Sequence, residues 1–230
     1  MNPVAQYLRS SIGRKQLMGL SGLLLYGFLL VHLVGNLGLL NGPEAFNKYG
    51  YLMLHTLGKV VIPIEFVLLG AFLLHLVLGF MVTAENRAAR PGRYAVRASK
   101  ASTGAARVFG GYMAASGIWL LVFVIVHVPH FRFDAYSAAP LVTYDGVVMR
   151  DLYTEVMRSF SNGWFTAFYV GSFALLLVHL AHGVQSSLQS LGVNHPRWNG
   201  LLKRASYAYA ILICGGFAAL AVWLWAQGGV

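Results

Sequence analysis

This 230-residue chain has little charge, few acids and almost no cysteine. Only 10% of its residues are charged and 57% are hydrophobic, where a water-soluble domain carries about 25% charged residues. That balance excludes an ordinary soluble fold. The single cysteine, Cys214, excludes an intrachain disulfide, a four-cysteine cluster and a zinc finger. It lies in an apolar stretch and reads as a packing residue. Segments of about ten residues with strand-period alternation are missing, which excludes an outer-membrane barrel.

What is present is a set of five long apolar runs, near 17–40, 60–84, 108–128, 164–188 and 207–225. Each passes the length test of roughly 17–25 residues for a spanning helix. The expected fold class is therefore all-α, an integral membrane bundle of five transmembrane helices. We expect a single membrane domain over 1–230, with 1–16 as a polar, basic cytoplasmic lead. The first run is too long for a signal-peptide core and is read as a retained helix. Pro129 is expected to end the third helix. Asp145-Gly146 between β-branched residues signals a short hairpin within the long 130–163 connection.

A formal net charge of +10 would suit nucleic acid, but its distribution argues against that partner. Twelve of the 17 Lys and Arg fall in the lead (Arg9, Arg14, Lys15), the second-to-third connection (Arg87 to Arg107) and the fourth-to-fifth connection (Arg197, Lys203, Arg204). The alternate connections hold Lys48, Lys59, Arg132, Arg150 and Arg158 with most of the acids. The positive-inside rule then puts the N-terminus in the cytoplasm and the C-terminus outside. The basic face suits anionic membrane lipid or a cytoplasmic partner.

Four histidines lie deep inside four of the runs, and the runs match in pairs. Ser21-Gly22 precedes His32 by the same spacing as Ser116-Gly117 precedes His127. His75-Leu-Val-Leu-Gly79 matches His179-Leu-Ala-His-Gly183. An ionisable side chain in hydrocarbon is costly and marks a functional site by default. Helices one and three run outward, two and four inward. At 1.5 Å per residue, His32 and His127 reach the outer half, and His75 and His179 the inner half. Two bis-histidine haem sites follow, one from each depth. His179 rather than His182 is the expected fourth ligand, because it aligns with His75. His182 is left as a contact for a haem propionate. Ser21, Arg14, Lys15, Arg107 and Ser116 are further candidates on the inner side, and Lys59 and Arg158 on the outer side.

Glu65 is the one acid well inside an apolar run. It precedes His75 by ten residues, about 15 Å toward the outside, and is a candidate for proton transfer to a redox ligand near the outer haem. A hydrogen bond or a salt bridge to Lys59 is the plainer alternative.

These features, ordered along almost the whole chain, resemble the di-haem cytochrome b membrane anchor of succinate dehydrogenases and fumarate reductases, in its single-subunit five-helix form. The resemblance rests on 28–36 around His32, the Glu65-to-His75 spacing, Ser116-Gly117 to His127, Tyr144-Asp145, 168–171 and 179–183. It implies two haem b groups on His32, His75, His127 and His179, and menaquinone or menaquinol as redox substrate. It also implies a flavoprotein (FAD) subunit and an iron–sulfur subunit on the cytoplasmic side, with a dimer of heterotrimers as a candidate assembly. Dicarboxylate chemistry would occur on the flavoprotein, so this chain would be an enzyme subunit in the cell's inner (cytoplasmic) membrane. Some fumarate-reducing relatives carry a glutamate two residues before the fourth ligand. Leu177 stands there in this chain, so the resemblance does not carry that proton path over. The competing readings are the cytochrome b anchor of a hydrogenase or formate dehydrogenase, and a transporter with a histidine proton relay. The latter suits inverted repeats better than this parallel one.

Overall fold

The structure, a computed structural model, describes residues 2–88 and 104–228. It bears out the all-α expectation: five helices are long and apolar enough to cross a membrane. In chain order the helices are α1 (Pro3–Arg9), α2 (Ser11–Asn36), α3 (Pro43–Tyr51), α4 (Gly58–Ala88), α5 (Gly104–Pro129), α6 (Ala135–Ala138), α7 (Leu152–Ser161), α8 (Gly163–Ser190) and α9 (Pro196–Gln227). The five long ones are α2, α4, α5, α8 and α9. Their apolar character keeps the backbone bonded within each helix, as hydrocarbon requires.

Local chemistry sets the boundaries. Ser10 accepts a hydrogen bond from the Gly13 N–H at 3.0 Å, so α2 begins at Ser11, inside the stretch read as lead. Pro43 opens α3 after Gly42 at φ 88°. Pro196 opens α9, so Arg197, Lys203 and Arg204 lie on the first turns of that helix and not in a connection. Helix α5 ends at Pro129 as expected, but the helical path does not stop there. Pro129 only removes one donor, and the chain continues through a π-turn, His130–Asp134, into α6. The hairpin is borne out: β1 (Leu141–Tyr144) pairs antiparallel with β2 (Val147–Arg150). Its turn places Asp145 at φ 51° and Gly146 at φ 75°, the two positive angles of a type I′ turn.

The chain falls into two compact units, each drawing on several of the long helices. The first holds Met1–Phe28, Leu68–Ile118 and Leu176–Ala210, and the second Leu29–Val67, Trp119–Leu175 and Ile211–Val230. The described basic side chains Arg9, Arg14, Lys15, Arg87, Arg197, Lys203 and Arg204 belong to the first unit. Lys48, Lys59, Arg132, Arg150 and Arg158 belong to the second. Helix α9 carries no histidine, and 39% of its most apolar 18 residues are buried, against none in the corresponding window of α4. Its Ala210, Ile213, Cys214, Ala221 and Leu224 are nearly inaccessible, as a scaffold helix requires. Burial of Cys214 agrees with its reading as a packing residue.

In the first unit, small residues let helices approach closely. A Cβ on Gly19 would lie 3.2 Å from the Ser187 carbonyl oxygen, and one on Gly183 would strike the Tyr26 hydroxyl. In the second unit, buried Asn47 ties α3 to α7. Its amide donates to Asp151 Oδ1 at 2.8 Å, and its oxygen accepts from the Tyr153 N–H at 2.9 Å. Asp151 also caps α7 through Thr154 N–H at 3.2 Å. Burial alone would push the Asp151 carboxyl up, but the bonds from Asn47 and Thr154 hold it below the usual aspartate range. Lys48 on α3 reaches Asp145 at the hairpin tip and Glu44 at 2.6 Å. The bond to Asp145, then that to Glu44, raises the ammonium to about 12.

Candidate functional site: two imidazole pairs

In the first unit the His75 ring on α4 lies 6.3 Å from the His179 ring on α8, centroid to centroid, at an interplanar angle of 68°. Oxygen atoms surround each Nδ1. His75 Nδ1 is 3.2 Å from the Met18 carbonyl oxygen and 3.3 Å from Ser21 Oγ. His179 Nδ1 is 3.1 Å from Ser116 Oγ. The Ser21 hydroxyl donates its proton to the Met18 carbonyl at 3.1 Å. The Ser116 hydroxyl donates to the carbonyls of Tyr112 and Met113, at 3.0 and 3.1 Å. The glycine after each serine leaves space for the imidazole. A Cβ at Gly22 would meet His75 Cε1 at 3.3 Å, and one at Gly117 would meet His179 Cε1 at 3.7 Å. The repeated Ser-Gly on α2 and α5 thus serves the histidine of the following long helix.

In the second unit the His32 and His127 rings lie 5.8 Å apart at 86°. Their surroundings are aromatic. Phe123 stacks on His127 at 5.3 Å, Phe131 and Tyr169 approach it at 5.4 and 5.9 Å, and Phe217 approaches His32 at 5.7 Å. The Tyr169 hydroxyl is 3.1 Å from His127 Nδ1. The Asn36 amide, which donates to the His32 carbonyl at 2.8 Å, is 3.4 Å from His32 Nδ1. The π-turn after Pro129 aims two further side chains. His130 Nε2 meets Ser159 Oγ at 2.9 Å, and Arg132 reaches Glu65, with Nε–Oε1 at 3.2 Å and Nη2–Oε2 at 3.2 Å.

The structure therefore brings His32 to His127 and His75 to His179. It is His179, not His182, whose ring faces His75. Ser21 and Ser116, both candidates for propionate contact, each lie against an imidazole. Arg14 pairs with Glu85 at 2.9 Å, and Lys15 is exposed. The Arg107 side chain lies outside the described residues. Glu65 pairs with Arg132, not with Lys59.

Sequence reasoning missed Glu155. Its side chain is 7% exposed, against 41% for Glu65, and its ion-pair partner is Arg158 at 3.1 Å. The signal for it is weak: α7 is short, and only the cap from Asp151 marks the turn that buries Glu155.

The pairs can be tested against a bis-imidazole metal site. Metal–imidazole bonds of about 2.0–2.1 Å put the two ligating nitrogens about 4 Å apart and the ring centroids roughly 6 Å apart. Both pairs fit that spacing. Among the described residues no group of three or more His, Cys, Asp or Glu side chains could hold a bare metal ion. A pair of imidazoles suits a metal that brings its own equatorial ligands, as haem iron does. Comparison with family models, curated proteins and solved structures returned no match.

Proposed function

We propose that this chain is a membrane-anchored cytochrome b subunit that carries electrons through two haems, one on His75 and His179 and one on His32 and His127. The observation that carries the reading is the separate construction of two imidazole pairs, each at bis-ligand spacing, in an all-α membrane protein. Bound haem supplies one-electron chemistry. The chain's own residues hold the rings, fix their orientation and exclude water.

Together with the sequence resemblance, this points to the anchor of a succinate:quinone oxidoreductase, run toward succinate oxidation or fumarate reduction. The basic side chains gathered in the unit of His75 and His179 support a cytoplasmic iron–sulfur partner there, with the flavoprotein beyond it. They also support an N-terminus on the cytoplasmic side of the inner membrane. Menaquinone or menaquinol would react near the His32–His127 pair. Quinone turnover moves protons as well as electrons, and Glu65 is the titratable group we assign to that transfer. Arg132 holds its carboxylate by charge-assisted bonds.

The test is a pyridine haemochrome assay on the purified protein, with identification of the soluble chains that co-purify. Two haems per chain with an iron–sulfur protein and a flavoprotein are expected. Haem with a hydrogenase or formate dehydrogenase partner instead would keep the cytochrome and replace the complex. A haem-free chain would leave a histidine proton relay as the better reading.

A further inference from the structure

The sequence singles out Ser21-Gly22 and Ser116-Gly117 as a repeat, and the proposed electron transfer gives that repeat no task. Its geometry supplies one. A carbonyl oxygen only accepts, so the Met18 carbonyl 3.2 Å from His75 Nδ1 places a proton on that nitrogen. Ser21 reinforces this, because its single hydroxyl proton is already directed to the same carbonyl. At His179 the Ser116 hydroxyl lies within hydrogen-bond reach of the Tyr112 and Met113 carbonyls; with its proton on either of them, it presents a lone pair toward Nδ1. The Met18 carbonyl makes His75 an Nδ1–H tautomer; the same tautomer at His179, with Ser116 accepting, leaves Nε2 of both rings with the lone pair a metal needs.

We propose that Ser21 and Ser116 are positioning residues for haem ligation at the His75–His179 pair. Each fixes the tautomer and the rotation of one imidazole and increases its electron donation to iron through the Nδ1–H bond. The inference rests on the haem reading above. The two serines are not equivalent. His75 keeps the Met18 carbonyl when Ser21 is removed. Among the described residues, His179 has the Ser116 hydroxyl as its Nδ1 hydrogen-bond partner.

The experiment uses the full complex in membranes or detergent, with Ser116→Ala, Ser21→Ala and the hydroxyl-keeping Ser116→Thr and Ser21→Thr. Haem stoichiometry, low-temperature electron paramagnetic resonance and redox titration are read for each. Ser116→Ala should move the midpoint potential of one haem to more positive values and shift its low-spin g-values, while the other haem stays unchanged. Ser21→Ala should move the same haem in the same direction by less, and the threonine variants should restore the unaltered signature. Should alanine at 116 expel the haem, its retention in Ser116→Thr supports the assignment, and its loss from both variants overturns it. Retained haem with unshifted potential and g-values in both alanine variants also overturns it. Absence of haem from the unaltered complex is a separate outcome: it sinks the haem reading itself, and the assignment with it.

Discussion

His75 and His179 meet carbonyl and hydroxyl oxygen atoms at Nδ1, whereas His127 meets a phenol among aromatic rings and His32 an amide at 3.4 Å. The Met18 carbonyl can only accept from His75, and each serine hydroxyl also lies within reach of its own helix carbonyls. The Tyr169 hydroxyl can donate to His127 or accept from it, and the ring stacks around it pack without setting a direction. The first pair is thus framed by oxygen atoms at Nδ1, and the second by aromatic rings together with a phenol and an amide.

The most severe way to break the comparison is to remove the rings. We expect His75→Ala or His179→Ala to lower haem content from two to one per chain, and His32→Ala or His127→Ala to remove the other haem, by pyridine haemochrome and difference spectra. His182→Ala should keep both. Loss of haem from His182→Ala with retention in His179→Ala would reverse the ligand assignment.

The next largest effect separates the two units by function. Proton-transfer groups contribute on the order of 10²–10⁴-fold, so Glu65→Gln should lower quinone-linked turnover by about 100-fold. Haem content and succinate oxidation with a dye acceptor should persist. Arg132→Gln should have the same direction and a smaller size, because it frees the carboxylate without removing it. Ser116→Ala, in the other unit, should leave the quinone site's affinity unaltered. Normal quinone turnover in Glu65→Gln would move proton transfer to another group, and Glu155 is then the first to test.

Much of this comparison is legible in the sequence, because hydrophobic length and histidine spacing are local. Five helices, the Asp145-Gly146 hairpin and the pairing of four histidines by depth follow from rise per residue and charge asymmetry. What requires the fold is any contact whose partner lies on another helix. Ser21 precedes His32 on its own helix, yet its hydroxyl serves His75. Pro129 carries the mark of a helix end, but with the N–H of only one residue missing the chain passes into a π-turn. That extra turn is what delivers Arg132 to Glu65. Glu155 sits in a stretch of ordinary polarity, and it becomes buried where α7 docks through the Asn47–Asp151 tie and the rings around Phe160.

A third prediction compares how the two units tolerate a methyl group. A Cβ at Gly183 in the first unit would strike the Tyr26 hydroxyl, the end of a stiff, buried ring. A Cβ at Gly216 in the second would meet Leu33 Cδ2 at 2.8 Å, and a leucine can change rotamer. Overpacking costs typically about 1–3 kcal/mol. Gly183→Ala should fall at the upper end of that range and Gly216→Ala at the lower, read as thermal unfolding in detergent. Equal losses would show that the second unit is as rigid as the first.

The smallest effect concerns acid, and it falls on the second unit. The Asp151 carboxyl is held below the usual aspartate value of about 3.9 by Asn47 and Thr154 against the opposing effect of burial. A carboxyl depressed in the folded state favours folding fully above its unfolded value. That contribution is lost as pH falls through the folded one. For a partly exposed group it amounts to less than about 1 kcal/mol after solvent screening. The α3–α7 tie should therefore hold at pH 5 and loosen below about pH 4, exposing 152–161 to pepsin. Asn47→Leu removes one donor to Asp151 and leaves the Tyr153 N–H without its acceptor, a loss of about 1–3 kcal/mol for a buried group. With less depression of the carboxyl, cleavage in that variant should begin at higher pH than in the unaltered protein. The His75–His179 spectrum should be the same in both. Coincident cleavage profiles would mean that α7 is held by its apolar face and not by the Asn47–Asp151 bond. The contrast between the units would then rest on the histidine pairs alone.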